Sequence, residues 1–254
     1  MIFETHAHYD NEAFDADRDA LLASLPANGI GSVVNAGASL NSTAASIRLA
    51  ETYPFVYASA GVHPSESAEL NEENFAQLRE QCRHRKVVAV GEIGLDYYWD
   101  EPEPETQKIW FARQLELARE MQKPVIIHSR DAAKDTYDIL AAHGADEIGG
   151  VIHCFSYSPE MALEYVKLGF YIGVGGVVTF KNGKKLKDVV KAVPLERILL
   201  ETDSPYLSPE PNRGKRNSSL NLLYIAQEIA QIKGVSPEEV VAVTHRNARQ
   251  MYRL

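Results

Sequence analysis

Cysteine is scarce in this chain: Cys82 and Cys154 are the two in 254 residues, 72 positions apart, and no Cys-x-x-Cys occurs. A disulfide framework and a cysteine zinc knuckle are both excluded, and a reducing cytoplasm is the expected setting. Long apolar runs are missing as well. Stretches such as VVAV and VVTF are far too short to cross a bilayer, and no charged-then-apolar leader opens the sequence, so no membrane partner is expected. Pro/Ser-rich linkers, internal repeats and low-complexity tracts are absent, which leaves one domain over residues 1–254 as the expectation. Nothing in the composition calls for an obligate protein partner. Positive charge is in deficit, 26 Lys and Arg against 35 Asp and Glu for a net −9. That balance argues against a protein that coats nucleic acid with a uniformly basic face, but not against a locally positive pocket.

What the chain does contain is regular alternation. Eight apolar runs of strand length, IFETH from Ile2, SVVNAG from Ser32, YASAGVH from Tyr57, VVAVGEIG from Val87, PVIIHS from Pro124, GVIHCF from Gly150, FYIGVGG from Phe170 and ILLETD from Ile198, are separated by segments of helical period. One such segment carries Trp110, Phe111, Leu115, Leu117, Ala118 and Met121. Near-continuous apolar strands between helices imply parallel pairing with both faces covered. A doubly wound sheet shares the alternation, but eight units in this length match a TIM-like (β/α)₈ barrel. Two further helices, from Ser219 to about Lys233 and from Ser236 to Met251, complete the outer layer. The second opens on a Ser-Pro-Glu-Glu capping box.

Position makes the metal-binding residue types informative. His6, His8, His63, Glu92, His128, His153 and Asp203 all fall at or just past the C-terminal ends of proposed strands. In a barrel those ends form one rim. Side chains two apart on a strand share a face, so His6 and His8 stand roughly 6.6 Å apart along the backbone and can share an ion. Taken singly each has another explanation: Asp203 could cap a turn, and Glu92 could balance a buried cation. Their joint placement favours a binuclear centre of two divalent ions held by histidines and carboxylates of this set. Glu92 is suited to bridging, and Asp203 to taking a proton from water. Two divalent ions on four neutral imidazoles and two carboxylates leave about +2, which favours an anionic substrate. His84, His143 and His245 fall in helical or turn segments and are read as structural.

Several residues near that rim could hold substrate. Arg213, Lys215 and Arg216 of NRGKRN follow strand 8, and Lys181, Lys184 and Lys185 of KNGKK follow strand 7, where barrels often bind phosphate. The lysine run reads more readily as a solvated charge run. Arg130 after His128 could fork onto a phosphate or pair with Asp131 or Asp135. Tyr97, Tyr98 and Trp99 could stack nucleic-acid bases or pack.

In order, THAHYD, GVHP, GEIGLDYY, PVIIHSR, VIHCFS, ETDSPYL and RGKRN resemble the TatD family of metal-dependent deoxyribonucleases, within the amidohydrolase superfamily, over essentially the whole chain. The resemblance implies a TIM-like barrel, divalent metal, and hydrolysis of DNA phosphodiesters as a 3′-to-5′ exonuclease preferring single strands. It carries the ligand roles to His6, His8, Glu92, His128, His153 and Asp203, and places His63 against the scissile phosphate. Glu92 and Asp203 then serve catalysis as well as metal binding. Two positions depart from the family pattern: Glu4 where Asp is usual, and Ser218-Ser219 where Glu-Pro commonly follows RGKRN. The ion is open, because imidazole-rich sites suit Zn²⁺ or Mn²⁺ whereas the family is usually described as Mg²⁺-dependent. Hydrolysis of an amide, lactone or acyl ester is the alternative activity, and a non-catalytic metal-stabilised scaffold is the alternative of another class.

Overall fold

The computed structural model describes residues 1–254 apart from the side chain of Asp146. Eight parallel strands lie side by side in sequence order: β1 Ile2–Ala7, β2 Ile30–Asn35, β3 Val56–Ala60, β4 Val87–Asp96, β5 Val125–Arg130, β6 Gly150–Ile152, β7 Tyr171–Val174 and β8 Ile198–Leu200. The order never reverses, which separates this architecture from a doubly wound sheet. The last strand returns to the first. Ala7 bridges Ser204, Thr5 Oγ1 donates to the Leu200 carbonyl at 2.9 Å, and the Asp203 N–H donates to the His6 carbonyl at 3.0 Å. The chain is thus a single-domain TIM-like α/β barrel.

Packing explains the closure. One buried cluster draws Phe3, Val34, Ala89, Ile126, Val151, Tyr171 and Leu199, with half-buried Tyr57, from the eight strands. Side chains from all eight can meet only inside the barrel. Met251 and Tyr252 of the last helix join them, and Tyr252 donates its hydroxyl to the Thr5 carbonyl at 2.8 Å. The larger cluster lies between strands and helices and includes Leu22, Phe75, Phe111, Leu115, Tyr165, Val189 and Ile229. Burying each of these side chains contributes roughly 1.5–3 kcal/mol.

Most strands fall within the apolar runs, but β6 and β8 have three residues each, so His153 and Asp203 lie beyond strand pairing. The final helix starts at Pro237, with Ser236 accepting from the Glu239 N–H at 3.1 Å; the reciprocal half of the capping box is not formed. Lys184 and Lys185 belong to the first turn of a helix, Lys184–Ala192, rather than to a loop. Among the described residues, no helix is long and apolar enough to cross a membrane.

The Pro104–Met121 helix positions the site. Its inward stripe includes two buried glutamines among Phe111, Leu115 and Ala118. Gln107 accepts from the Asp96 N–H at 2.8 Å and donates to the Asp96 carbonyl at 2.9 Å. Gln114 does the same at Val62, at 2.8 and 3.1 Å, one residue before His63. Each amide satisfies both polar groups of a backbone unit that would otherwise be orphaned, and so fixes where β4 ends and where the loop after β3 begins.

Candidate metal centre

A pocket of about 790 Å³ opens at the C-terminal ends of the strands, lined among others by His8, His63, Glu92, Asp96, His128, Arg130, His153 and Asp203. At its floor His6, Glu92 and His153 are almost fully buried. Glu92 is the hub. Its Oε2 lies 3.4 Å from His6 Nε2 and 3.6 Å from His8 Nε2, while its Oε1 lies 2.8 Å from His153 Nε2 and 2.9 Å from His128 Nδ1. Asp203 Oδ1 completes the first group at 3.6 Å from His6 and 3.5 Å from His8. The six side chains expected as ligands therefore converge, three groupings within 4.8 Å being His6–His8–Asp203, His6–Glu92–His153 and His63–Glu92–His128.

Local backbone features allow this convergence. Asp203 sits in the left-handed region at φ 57°, a conformation Asp tolerates better than most residues, where the chain leaves β8 and turns back over β1. Gly94, between Glu92 and Asp96, has φ +142°, and a Cβ there would collide with the His128 carbonyl. Only glycine allows β4 to approach β5 so closely while both neighbouring carboxylates face the site.

Nitrogen geometry tests whether the residues suit metal. His6 Nε2 and His8 Nε2 face each other at 3.1 Å, and the His8 Nδ1–H donates to the Ala36 carbonyl at 3.1 Å. That bond fixes the ring and turns Nε2 towards the cluster, the orientation a ligand needs once its proton is displaced. Four imidazoles and two carboxylates make a mixed nitrogen–oxygen set that fits a divalent ion of the Zn²⁺ or Mn²⁺ type. His63 is different. Its Nδ1 accepts from the Ser65 N–H at 3.1 Å, so the proton is on Nε2, which points into the pocket 3.6 Å from Glu92 Oε1. Although it belongs to one of the groupings, its hydrogen bonding makes it a donor to an incoming oxygen rather than a nitrogen ligand.

Electrostatics follow from burial and crowding. Burial drives His6 down to about 4 and His63 to about 4, so both are neutral. Burial also opposes charge on His8 and His128, yet Asp203 and Glu92 in the first case, and Asp96 and Glu92 in the second, outweigh it and lift each to about 9. Glu92 is held well below its ordinary range because its histidines overcome its burial. Such opposed shifts in one pocket are characteristic of functional clusters.

Three carboxylates were not recognisable as site residues, or were seen only in outline. Asp96 accepts from His128 Nε2 at 2.9 Å, at the edge of the ring away from Glu92; its signal was the two-residue period Glu92, Gly94, Asp96 on one strand. Glu201 is fully buried, accepts from the Cys154 N–H at 2.5 Å, and is pushed by burial to about 7. It occupies the space a side chain at Gly173 would need. Glu4, where the family pattern has Asp, is not in the pocket wall. It accepts from the Thr202 N–H at 2.9 Å, the Thr202 hydroxyl at 2.6 Å and the His6 N–H at 3.2 Å, tying the first strand to the segment after the last.

The residues expected to hold substrate divide. Arg130 lines the pocket, its guanidinium 3.6 Å from the centroid of Tyr98; it does not pair with Asp135, which accepts from Tyr97 at 2.8 Å and Lys108 at 2.8 Å. Tyr97 is not a stacking face: that hydrogen bond turns its ring onto the core, and Trp99 lines the pocket instead. Arg213 lies over Phe180, and Arg216 is bound bidentately to Asp17 at 2.7 Å and packed on Phe14. Neither these two nor Lys215 is among the pocket residues. Tyr206, after β8, lines the pocket without having been anticipated.

Comparison with known proteins gives the family and agrees with the fold. The family model "TatD related DNase" matches residues 3–253. The uncharacterized metal-dependent hydrolase YabD of Bacillus subtilis is 42% identical over 254 residues, covering all of both chains. The 3′-5′ ssDNA/RNA exonuclease TatD of Cronobacter sakazakii is 33% identical over 257 residues, covering 99% of this chain and 97% of its own. Among solved structures, the TatD homolog YJJV of Escherichia coli superposes with a TM-score of 0.93 at 32% identity, covering 100% of this chain and 98% of that one.

Proposed function

This chain belongs to the TatD family of metal-dependent hydrolases, and from that membership we propose that it cleaves DNA phosphodiester bonds, working 3′ to 5′ from single-stranded ends in a reducing, cytoplasmic setting. The observation that carries the reading is the division of Glu92: one carboxylate oxygen faces His6 and His8, the other His128 and His153. That is the arrangement of a carboxylate shared by two ions.

In this reading His6, His8 and Asp203 would hold one ion and His128 and His153 the other. Bound there, two divalent ions supply Lewis acidity for a phosphoryl oxygen and an acidified water. The protein's own groups do the rest. Asp203, part-exposed to the pocket, takes the proton of the attacking water. His63, with its proton on Nε2, donates to a phosphate oxygen, and Arg130 forks onto another. Glu4 and Asp96 hold His6 and His128 in place.

A second reading, hydrolysis of an amide, lactone or acyl ester, gains support from one feature: among the described residues Arg130 is the one arginine or lysine that lines the pocket, Arg216 being paired with Asp17 and Arg213 lying over Phe180. Metal-stripped protein given Mg²⁺, Mn²⁺ or Zn²⁺ in turn, and tested on end-labelled single- and double-stranded DNA and on acyl esters, separates the two. Shortening of labelled single strands supports the first reading. Ester turnover with intact DNA replaces it with the second.

A further inference from the structure

Two large aromatic side chains stand at the pocket mouth and take no part in the chemistry described above. Trp99, after β4, is 58% exposed, and Tyr206, after β8, is 53% exposed; both line the pocket. In a closed ring of eight strands the fourth and the eighth face each other across the barrel, so the two residues follow strand ends on opposite sides of the rim, and both line the pocket between them. Both are held. Trp99 meets Tyr98 edge-on with centroids 4.8 Å apart, and Tyr98 in turn carries the Arg130 guanidinium. The Tyr206 hydroxyl accepts from Asn11 Nδ2 at 3.1 Å.

Leaving that much aromatic surface in water forgoes burial, which marks such surface as a contact site when it borders a pocket. Flat, exposed rings beside an arginine are the components of a stacking platform for bases. Resting on the phosphodiester reading, we propose that Trp99 and Tyr206 form a two-sided clamp that stacks the unpaired bases on either side of the bond lying over the metal centre. The ligand is then a short single strand with a base on each flank. In a duplex both faces of an internal base are already covered by its neighbours, so the clamp selects unpaired ends.

The chain has two tryptophans, Trp99 and Trp110, so a Trp110→Phe protein reports on Trp99 alone. Metal-free Trp110→Phe protein is titrated with a thymidine tetramer joined by methylphosphonate links, uncharged and so not repelled by the carboxylates, and with its abasic counterpart. Saturable quenching by the base-bearing tetramer alone, weakened roughly ten-fold by Tyr206→Ala, is expected. No quenching, equal effects from the abasic tetramer, or unchanged affinity in Tyr206→Ala overturns the clamp. Failure of the catalytic reading is seen separately: quenching that persists in a protein whose metal-loaded form leaves end-labelled DNA intact keeps the clamp and removes the hydrolysis.

Discussion

Asp96 holds the Nε2 edge of His128 at 2.9 Å, while the Nδ1 edge of the same ring faces Glu92 at 2.9 Å. One carboxylate is thus aligned with the centre, and the other orients the ring that serves it. Partners of this kind fix the tautomer of a ligating histidine and raise its basicity. Asp96→Asn is expected to lower metal affinity or turnover about 10–100-fold with little change in melting temperature. Metal titration beside thermal unfolding checks it, and an unaltered affinity would remove Asp96 from the site.

Asp203 is assigned a proton-transfer role that its nitrogen-rich neighbours do not share. In Asp203→Asn the amide oxygen can still reach an ion, but the group no longer accepts a proton at neutral pH. We expect metal retained and turnover reduced by about 100-fold or more. Elemental analysis together with cleavage of end-labelled DNA distinguishes this from simple metal loss.

Arg130 and Arg216 are both rim arginines, and the structure gives them different work. Arg130→Ala removes a cation that faces the pocket, and roughly a ten-fold rise in KM is expected. Arg216→Ala breaks the fork onto Asp17, a partly exposed pair, and should lower the melting temperature by a few degrees at most while leaving KM alone. The reverse pattern would return the substrate role to the NRGKRN loop.

Glu4 links stability to pH in the metal-free protein. Burial raises its carboxyl from 4.5 to about 8 in the folded state. Stability owed to carrying the neutral form is complete below about 4.5 and is lost as pH climbs towards 8, because the unfolded chain gives up its proton first. In chelator, melting temperature should therefore fall over that interval, and Glu4→Gln should flatten the slope. An equal slope in both proteins would show that the three hydrogen bonds to Glu4 offset its burial.

The barrel and the cluster of histidines and carboxylates at its rim were legible in the sequence for one physical reason. Parallel strands covered on both faces leave near-continuous apolar runs, and functional side chains gather where those runs end, so HAH, GVHP, GEIG, IIHS, VIHC and ETDS announce position and chemistry together. What escaped was whatever depends on partners far along the chain. Tyr97 reads like Trp99 until Asp135 takes its hydroxyl, and Arg216 reads like Arg130 until Asp17 takes its guanidinium. Long polar side chains have too many reachable partners for spacing to choose among them. Asp96 escaped for a narrower reason: β4 runs through to residue 96, so a residue that reads as the start of a turn is still on the strand.

The central claim is that Glu92 is shared by two ions that together drive hydrolysis. Its most direct test is the number of Mn²⁺ or Zn²⁺ ions bound per chain in wild type and in Glu92→Gln, measured by elemental analysis and paired with cleavage of end-labelled single-stranded DNA. The account predicts two ions and cleavage in the wild type, and no more than one ion with loss of cleavage in the variant. Two ions and undiminished cleavage in Glu92→Gln would contradict it.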